Sequence, residues 1–135
     1  VDVDHFKRIN DTHGHIEGDR ALKRIAQTID DATRETDLVA RFGGEEFVVM
    51  LQDTTLDGAR TVAEKILRAV REDCDATLSI GIAHLSHEEL AVDAEEDVDE
   101  RITVLLRHAE AALEEAKARG RDQVVLKSAI DTSPG

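Results

Sequence analysis

The sequence predicts an α/β (α+β) fold, a mixed central β-sheet flanked by helices. Three observations carry this expectation. Segments with apolar residues on a helical repeat alternate along the chain with short runs rich in Val, Ile and Phe. The 135 residues, 41% hydrophobic, suit one domain with its own core. No apolar run approaches the ~20 residues that a membrane-spanning helix needs.

Taken in order, Val1 to Asp4 reads as the tail end of a strand, cut at its start. Residues 21–29 place Leu22, Ile25, Ala26 and Ile29 on one helical face, with Asp19 as the expected N-cap. Residues 38–42 and 47–51 read as two strands joined by a hairpin at Gly43-Gly44. The second of them is a continuous apolar run, as expected of a central strand covered on both faces. A helix is expected over residues 56–72, with Ala59, Val62, Ala63, Ile66, Leu67 and Val70 inward. Residues 77–83 form a strand, and 101–119 a helix closed by Gly120 at its C′ position. Residues 123–127 make the last strand, and 128–135 are expected to be a disordered tail. Residues 88–100 hold eight carboxylates and no basic group, which reads as a solvated loop, with binding of cations or a basic partner as the alternative.

Acidic residues outnumber Lys plus Arg 30 to 17, for a net charge of −13. A phosphate backbone repels such a surface, so nucleic acid is not an expected partner. The single cysteine, Cys74, excludes an internal disulfide, and its Asp73 and Asp75 neighbours disfavour the thiolate.

Chemistry concentrates at three places. Asp2-Val3-Asp4 ends the first strand, and Glu45-Glu46 follows the Gly-Gly tip. Two like charges ~4 Å apart repel by about 4 kcal/mol at an effective dielectric of 20, so carboxylates that converge want a cation. Oxygen ligands at a strand end suit magnesium, whereas carboxylates that stay apart are plain solvated turns. Glycines at 43 and 44 reach φ > 0 and admit a phosphate or base close to the backbone; a simple hairpin turn is the alternative. Lys117, Arg119 and Arg121 form a basic cluster at the end of the last helix, suited to phosphates or to the helix C-terminus. Neither GxxxxGK[ST] nor GxGxxG is present.

These pieces together resemble one family. Arg41-Phe42-Gly43-Gly44-Glu45-Glu46-Phe47 resembles the signature hairpin of the GGDEF domain, the diguanylate cyclase family, in its GGEEF form. Asp2-Val3-Asp4-His5-Phe6-Lys7 with Ile9-Asn10-Asp11 and Gly14-His15 is similar to the family's DxDxFKxIND…GH segment. Gly18-Asp19, Ser79-Ile80-Gly81 and Ala116-Lys117 with Gly120-Arg121 match further motifs, so the resemblance runs over residues 2–127.

The resemblance implies a palm-like, nucleotidyl-cyclase-like sheet over residues 1–127 that condenses two GTP into cyclic di-GMP. It assigns Asp2, Glu45 and the Val3 carbonyl to magnesium or manganese, and Asn10 and Asp19 to the guanine edge. Gly43 and Gly44 give access to the nucleotide, Glu46 completes the acidic hairpin, and Lys117 and Arg121, with Lys7, hold the phosphates. Catalysis then needs a homodimer, with one GTP on each protomer. Arg34 and Asp37 resemble the family's RxxD site for inhibition by product. A catalytically silent module that binds GTP or cyclic di-GMP is the alternative, but such receptors usually lose the acidic and basic positions intact here.

The chain lacks the helix and DxLTGLxNRR segment that usually open this domain, and it has no initiator Met. It therefore reads as part of a longer cytoplasmic gene product with an upstream sensory domain, itself open to membrane anchoring. Asp122 stands where the family usually has Asn, and Glu114 where Tyr is frequent, so each adds negative charge near the expected phosphate clamp.

Overall fold

A computed structural model describes residues 1–85 and 98–128 of the chain. The elements are β1 (Asp2–Val3), α1 (Phe6–His13), α2 (His15–Asp31), β2 (Leu38–Arg41) and β3 (Phe47–Met50), then α3 (Leu56–Cys74), β4 (Leu78–His84), α4 (Val98–Ala118) and β5 (Gln123–Ser128). β4 lies between β1 and β5, antiparallel to the first (Asp2 opposite Ser79) and parallel to the second (Ile80 opposite Val124). β2 and β3 form an antiparallel hairpin with Arg41 opposite Phe47. The hairpin joins β1 through an Asp2–Glu46 bridge, with Phe47 N–H donating to the Val1 carbonyl at 2.8 Å and Val3 N–H to Glu45 at 3.2 Å. The result is the expected mixed sheet with helices packed on it.

The core is aliphatic with two aromatics. Val3, Phe6, Ile25, Phe47, Val70 and Leu78 belong to one buried cluster that ties β1 to α1, α2, α3, β3 and β4. Gly81 lets α4 lie directly on β4: a Cβ there would overlap the Ala109 carbonyl and the Leu113 amide. α3 begins at a true N-cap, Thr55, whose hydroxyl accepts from Gly58 N–H at 3.0 Å. α4 ends as expected at Gly120, with φ +114°. Gly120 N–H donates to Lys117 and Arg121 N–H to Ala116, the paired bonds of a Schellman ending.

Five points differ from expectation. The first long helix starts at His15, so Asp19 lies inside α2 and is no N-cap. Residues Phe6–His13 form a helix that two apolar positions, Phe6 and Ile9, were too few to predict. β3 is not covered on both faces. Phe47 is buried, Val48 and Val49 are half-buried and Met50 is exposed, and a cavity of about 1180 Å³ is lined by residues of β3, α3, β4 and α4. Residues 98–100 open α4 rather than a loop, and Ser128 closes β5 rather than starting a tail. Residues 86–97 and 129–135, which hold the rest of the expected loop and tail, lie outside the described residues.

Candidate active site

The end of β1 and the hairpin tip, which carry the carboxylates expected from sequence, lie side by side. The Asp2–Glu46 bridge and the Val3 N–H bond to the Glu45 carbonyl put Asp2, Val3, Glu45 and Glu46 side by side. The end of α4 reaches the same corner, because Lys117 Nζ lies 2.5 Å from Asp2 Oδ2. Asp2 is buried, so its charge needs that partner. Glu114 adds a second, exposed carboxylate 3.5 Å from the same ammonium. Burial alone would lower the Lys117 pKa; the hydrogen bond and charge of Asp2, with those of Glu114, outweigh it and hold the group above its ordinary value.

Asp4 behaves differently from Asp2, two residues away. It is 6% exposed, and its Oδ1 accepts from Ser79 Oγ at 2.6 Å. Its Oδ2 accepts from Thr77 Oγ1 at 2.7 Å and Asp122 N–H at 3.0 Å. Asp4 therefore does not join the convergent acidic set; its oxygens are already used.

Among the described residues, no group of three or more His, Cys, Asp and Glu side chains is placed to hold a metal ion. The corner instead offers two carboxylates, Asp2 and Glu45, and a backbone carbonyl at Val3. That oxygen set fits magnesium, which takes one or two carboxylates and fills its shell with phosphate and water.

The expected guanine readers sit on the helices that follow β1. Asn10 Oδ1 is buried and has no hydrogen-bond partner among the described residues. It lies over Gly18, where any Cβ would overlap it, which explains why α1 and α2 need glycine at that contact. An orphaned buried acceptor costs ~1–3 kcal/mol, and a ligand N–H would remove that cost. Asp19 is exposed on α2, one residue beyond Gly18. Lys7 is exposed in the first turn of α1, and Arg121 is exposed just past α4.

At the hairpin tip, Gly43 and Gly44 do not use φ > 0, contrary to expectation; among the described glycines only Gly14 and Gly120 do. A Cβ at either would meet nothing within 4 Å, so what these glycines leave is open space before the backbone. Arg41 holds the tip, with Nη2 donating to the Gly44 carbonyl at 2.7 Å and Nε to the Gly43 carbonyl at 3.3 Å. Glu45 and Glu46 make no hydrogen bond or ion pair through their carboxylates with any described residue.

Arg34 and Asp37 are placed together, but not as two outward-facing groups. Asp37 Oδ2 accepts from Arg34 N–H at 2.9 Å and Nε at 3.4 Å, and Oδ1 from Gln52 N–H at 3.4 Å. Arg34 Nη2 donates to the Gln52 carbonyl at 2.8 Å and Thr54 Oγ1 at 2.9 Å. The Asp37 side chain is 2% exposed and that of Arg34 60%. Burial would raise the Asp37 pKa, but the bonds from Arg34 and Gln52 and the Arg34 charge outweigh it and hold the carboxyl below its ordinary value.

Sequence reasoning missed Thr77, Arg41 and Arg71 as parts of this region. The charge of Asp122 is met by Arg71 on α3, whose Nε donates to Oδ1 at 2.8 Å, so it does not stand free beside the phosphate clamp. Each of these pairs joins residues distant in sequence, except Arg41 with its own hairpin, where an Arg two residues before a Gly pair was the only available signal.

Comparison with known proteins gives one answer. The family described as "Diguanylate cyclase, GGDEF domain" matches residues 1–123. Diguanylate cyclase A of Treponema denticola is 38% identical over 134 residues, which cover 93% of this chain and 33% of that protein. Response regulator PleD of Caulobacter vibrioides is 40% identical over 139 residues, covering 96% and 28%. The chain thus spans a third or less of the length of these curated relatives. The fold is shared with diguanylate cyclase SiaD of Pseudomonas aeruginosa, solved with its activator SiaC (TM-score 0.75, 36% identity, 93% of this chain and 47% of that one). It is shared as well with the active GGEEF domain of a diguanylate cyclase from Vibrio cholerae (TM-score 0.76, 29% identity, 93% and 78%). A GGDEF domain of DgcB from Caulobacter crescentus, solved with c-di-GMP, matches with a TM-score of 0.75 at 29% identity over 93% and 73%. The expected palm-like fold is the fold of these neighbours.

Proposed function

The chain belongs to the GGDEF domain family, and from that premise we propose that it condenses two GTP into cyclic di-GMP and two pyrophosphates. The observation that carries this reading is the convergence of β1 with the GGEEF hairpin, which brings Asp2, Val3, Glu45 and Glu46 together beside Lys117. A silent binding module would not need this acidic corner intact.

In this reading each chain's residues do separable work. Asn10 Oδ1, left without a partner, accepts from a guanine N–H, and Asp19 accepts from another. A site built this way disfavours adenine, which leaves its buried acceptor unpaired. Gly43 and Gly44 leave room for the nucleotide against the hairpin backbone. Arg121 and Lys7, which have no ion-pair partner among the described residues, meet the β- and γ-phosphates. Lys117 exchanges its bond to Asp2 for a phosphate oxygen, which frees the Asp2 carboxylate. Asp2, the Val3 carbonyl and Glu45 would hold magnesium or manganese, which lowers the pKa of a ribose 3′-hydroxyl and neutralises charge on the α-phosphate. Glu46 completes the acidic hairpin.

The 3′-oxygen of one GTP forms its bond to the α-phosphorus of the other as the bond to the β-phosphate oxygen breaks. Two protomers facing each other bring each hydroxyl to the opposite nucleotide, so the chain contributes chiefly position. The parent protein works in the cytoplasm, under an upstream sensory domain. Cyclic di-GMP feeds back through the Arg34 turn. Since both Asp37 oxygens are engaged internally, Arg34 offers the ligand its outward Nη1 while Asp37 keeps the guanidinium in place.

The test is formation of cyclic di-GMP from GTP in magnesium, with the rate rising as the square of protein concentration when protomers are dilute. GTP binding without product over the whole concentration range would establish the silent module instead.

A further inference from the structure

The α4–β5 turn, which carries Arg121, has a backbone that L-residues seldom adopt. Gly120, Arg121 and Asp122 follow one another at φ +114°, +64° and +51°. Left-handed residues without glycine persist where their surroundings over-determine them. Here two clamps do so, from opposite sides. Asp4 accepts the Asp122 N–H at 3.0 Å, and the same carboxylate is anchored by Thr77 and Ser79 on the β4 side. Arg71, from α3, takes the Asp122 carboxylate at 2.8 Å and its carbonyl at 3.3 Å. Both clamps grip Asp122; the preceding Arg121 side chain is exposed and without a hydrogen-bond or ion-pair partner among the described residues.

We infer that Asp4 is a positioning residue, which holds the Arg121–Asp122 turn in its left-handed form and so sets the guanidinium where it meets the β- and γ-phosphates. Arg71 is the second half of the same clamp. Asp4 itself never touches the nucleotide, because its oxygens are spent on three internal donors. The geometry also explains Asp122: a short polar residue tolerates the left-handed region, and its charge is used by Arg71.

The inference rests on the proposed GTP site and is tested by comparing GTP with GMP, which lacks the phosphates that Arg121 would meet. Affinities are measured by calorimetry in magnesium for the parent, Asp4→Ala, Arg71→Ala, Arg121→Ala and the Asp4→Ala/Arg121→Ala pair. Asp4→Ala should weaken GTP about tenfold and leave GMP within about twofold, and the pair should be no weaker than Arg121→Ala alone. Asp4→Asn should recover most of the loss, since the Ser79 hydroxyl can turn to accept from the amide while the remaining oxygen keeps Asp122 N–H. Arg71→Ala, an exposed change, should give a smaller loss confined to GTP, and it decides the matter if Asp4→Ala does not fold. Equal losses for GTP and GMP, losses that multiply in the pair, or unaltered GTP binding in a folded variant would overturn the inference alone. Failure of the parent to bind GTP would overturn the site and this inference together.

Discussion

The two ends of the β2–β3 hairpin carry the same kinds of residue and treat them in opposite ways. At the tip, the Glu45 and Glu46 carboxylates have no hydrogen-bond or ion-pair partner among the described residues, and the loop is tied by Arg41 and by the Phe42 N–H bond to the Glu46 carbonyl. At the base, Asp37 is surrounded by Arg34 and the Gln52 amide, and Arg34 reaches on to Gln52 and Thr54. Both regions are polar turns next to strands, and both match family motifs. The difference lies in whether the polar groups are spent. Glu45 is half-buried and Glu46 exposed, and carboxylates without a partner contribute little to stability, so they stay available to a cation or ligand. Engaged groups rigidify the fold and have less left to offer from outside. The tip therefore leaves its carboxylates unspent, whereas the base holds the end of β3 and the start of α3 to the end of α2.

The sharpest way to break this comparison is Glu45→Gln. The rate of cyclic di-GMP formation should fall by at least ~100-fold, because a charge is lost where the reacting phosphates must be neutralised. The unfolding free energy should move by no more than ~0.5 kcal/mol, since Glu45 holds nothing together. A retained rate would remove Glu45 from the metal set.

At the base the order of effects reverses. Asp37→Ala leaves the Arg34 and Gln52 amides without their acceptor, and urea unfolding at neutral pH should show a loss of ~1–3 kcal/mol. The pH dependence has a fixed sign. A carboxyl held below its ordinary value in the folded chain contributes stability above the unfolded pKa near ~4, and that contribution disappears as pH falls through the folded value. The parent should lose stability across that acid window more steeply than Asp37→Asn does. Parallel curves would mean that Asp37 is not held as an ion.

Arg34→Ala joins the two halves of the comparison. It removes bonds to Gln52 and Thr54 and should cost ~0.5–1.5 kcal/mol of stability. If product acts through the outward face of Arg34, the cyclic di-GMP concentration for half-inhibition should rise while the uninhibited rate stays at the parental level. An unchanged inhibition curve with the stability loss present would leave the turn a purely structural one.

Gly43→Ala should have the smallest effect on the fold, within ~0.5 kcal/mol, because neither a left-handed φ nor a near neighbour requires glycine there. A weaker GTP affinity in this variant, at unchanged stability, would locate the nucleotide against the tip.

Much of this architecture was readable from local pattern. The apolar stripe over Leu22, Ile25 and Ile29 placed α2, and the stripe over Ala63, Ile66 and Val70 placed α3, because burial on one face imposes a 3.6-residue repeat. Gly120 was legible as a helix ending, since its left-handed conformation is a local requirement. The order of motifs from Asp2 to Arg121 was enough to indicate the family. The start of α2 was misread because Asp19 is the kind of residue that caps helices, while the actual boundary at Gly14 has no side-chain cap.

What only the tertiary structure decided is which partner each charged group takes. Asp2 and Asp4 are indistinguishable in sequence, yet Asp2 pairs with Lys117 across the whole chain and Asp4 with Thr77, Ser79 and the Asp122 amide. Arg34 and Asp37 could face a ligand or each other, and the fold turns the Asp37 carboxylate inward. The physical reason is range. Helix and strand periodicity is set by neighbours a few residues apart, which the sequence displays directly. A buried carboxylate is satisfied by whichever donors the sheet brings alongside it, and those come from strands and turns that the chain reaches only after it has folded back on itself.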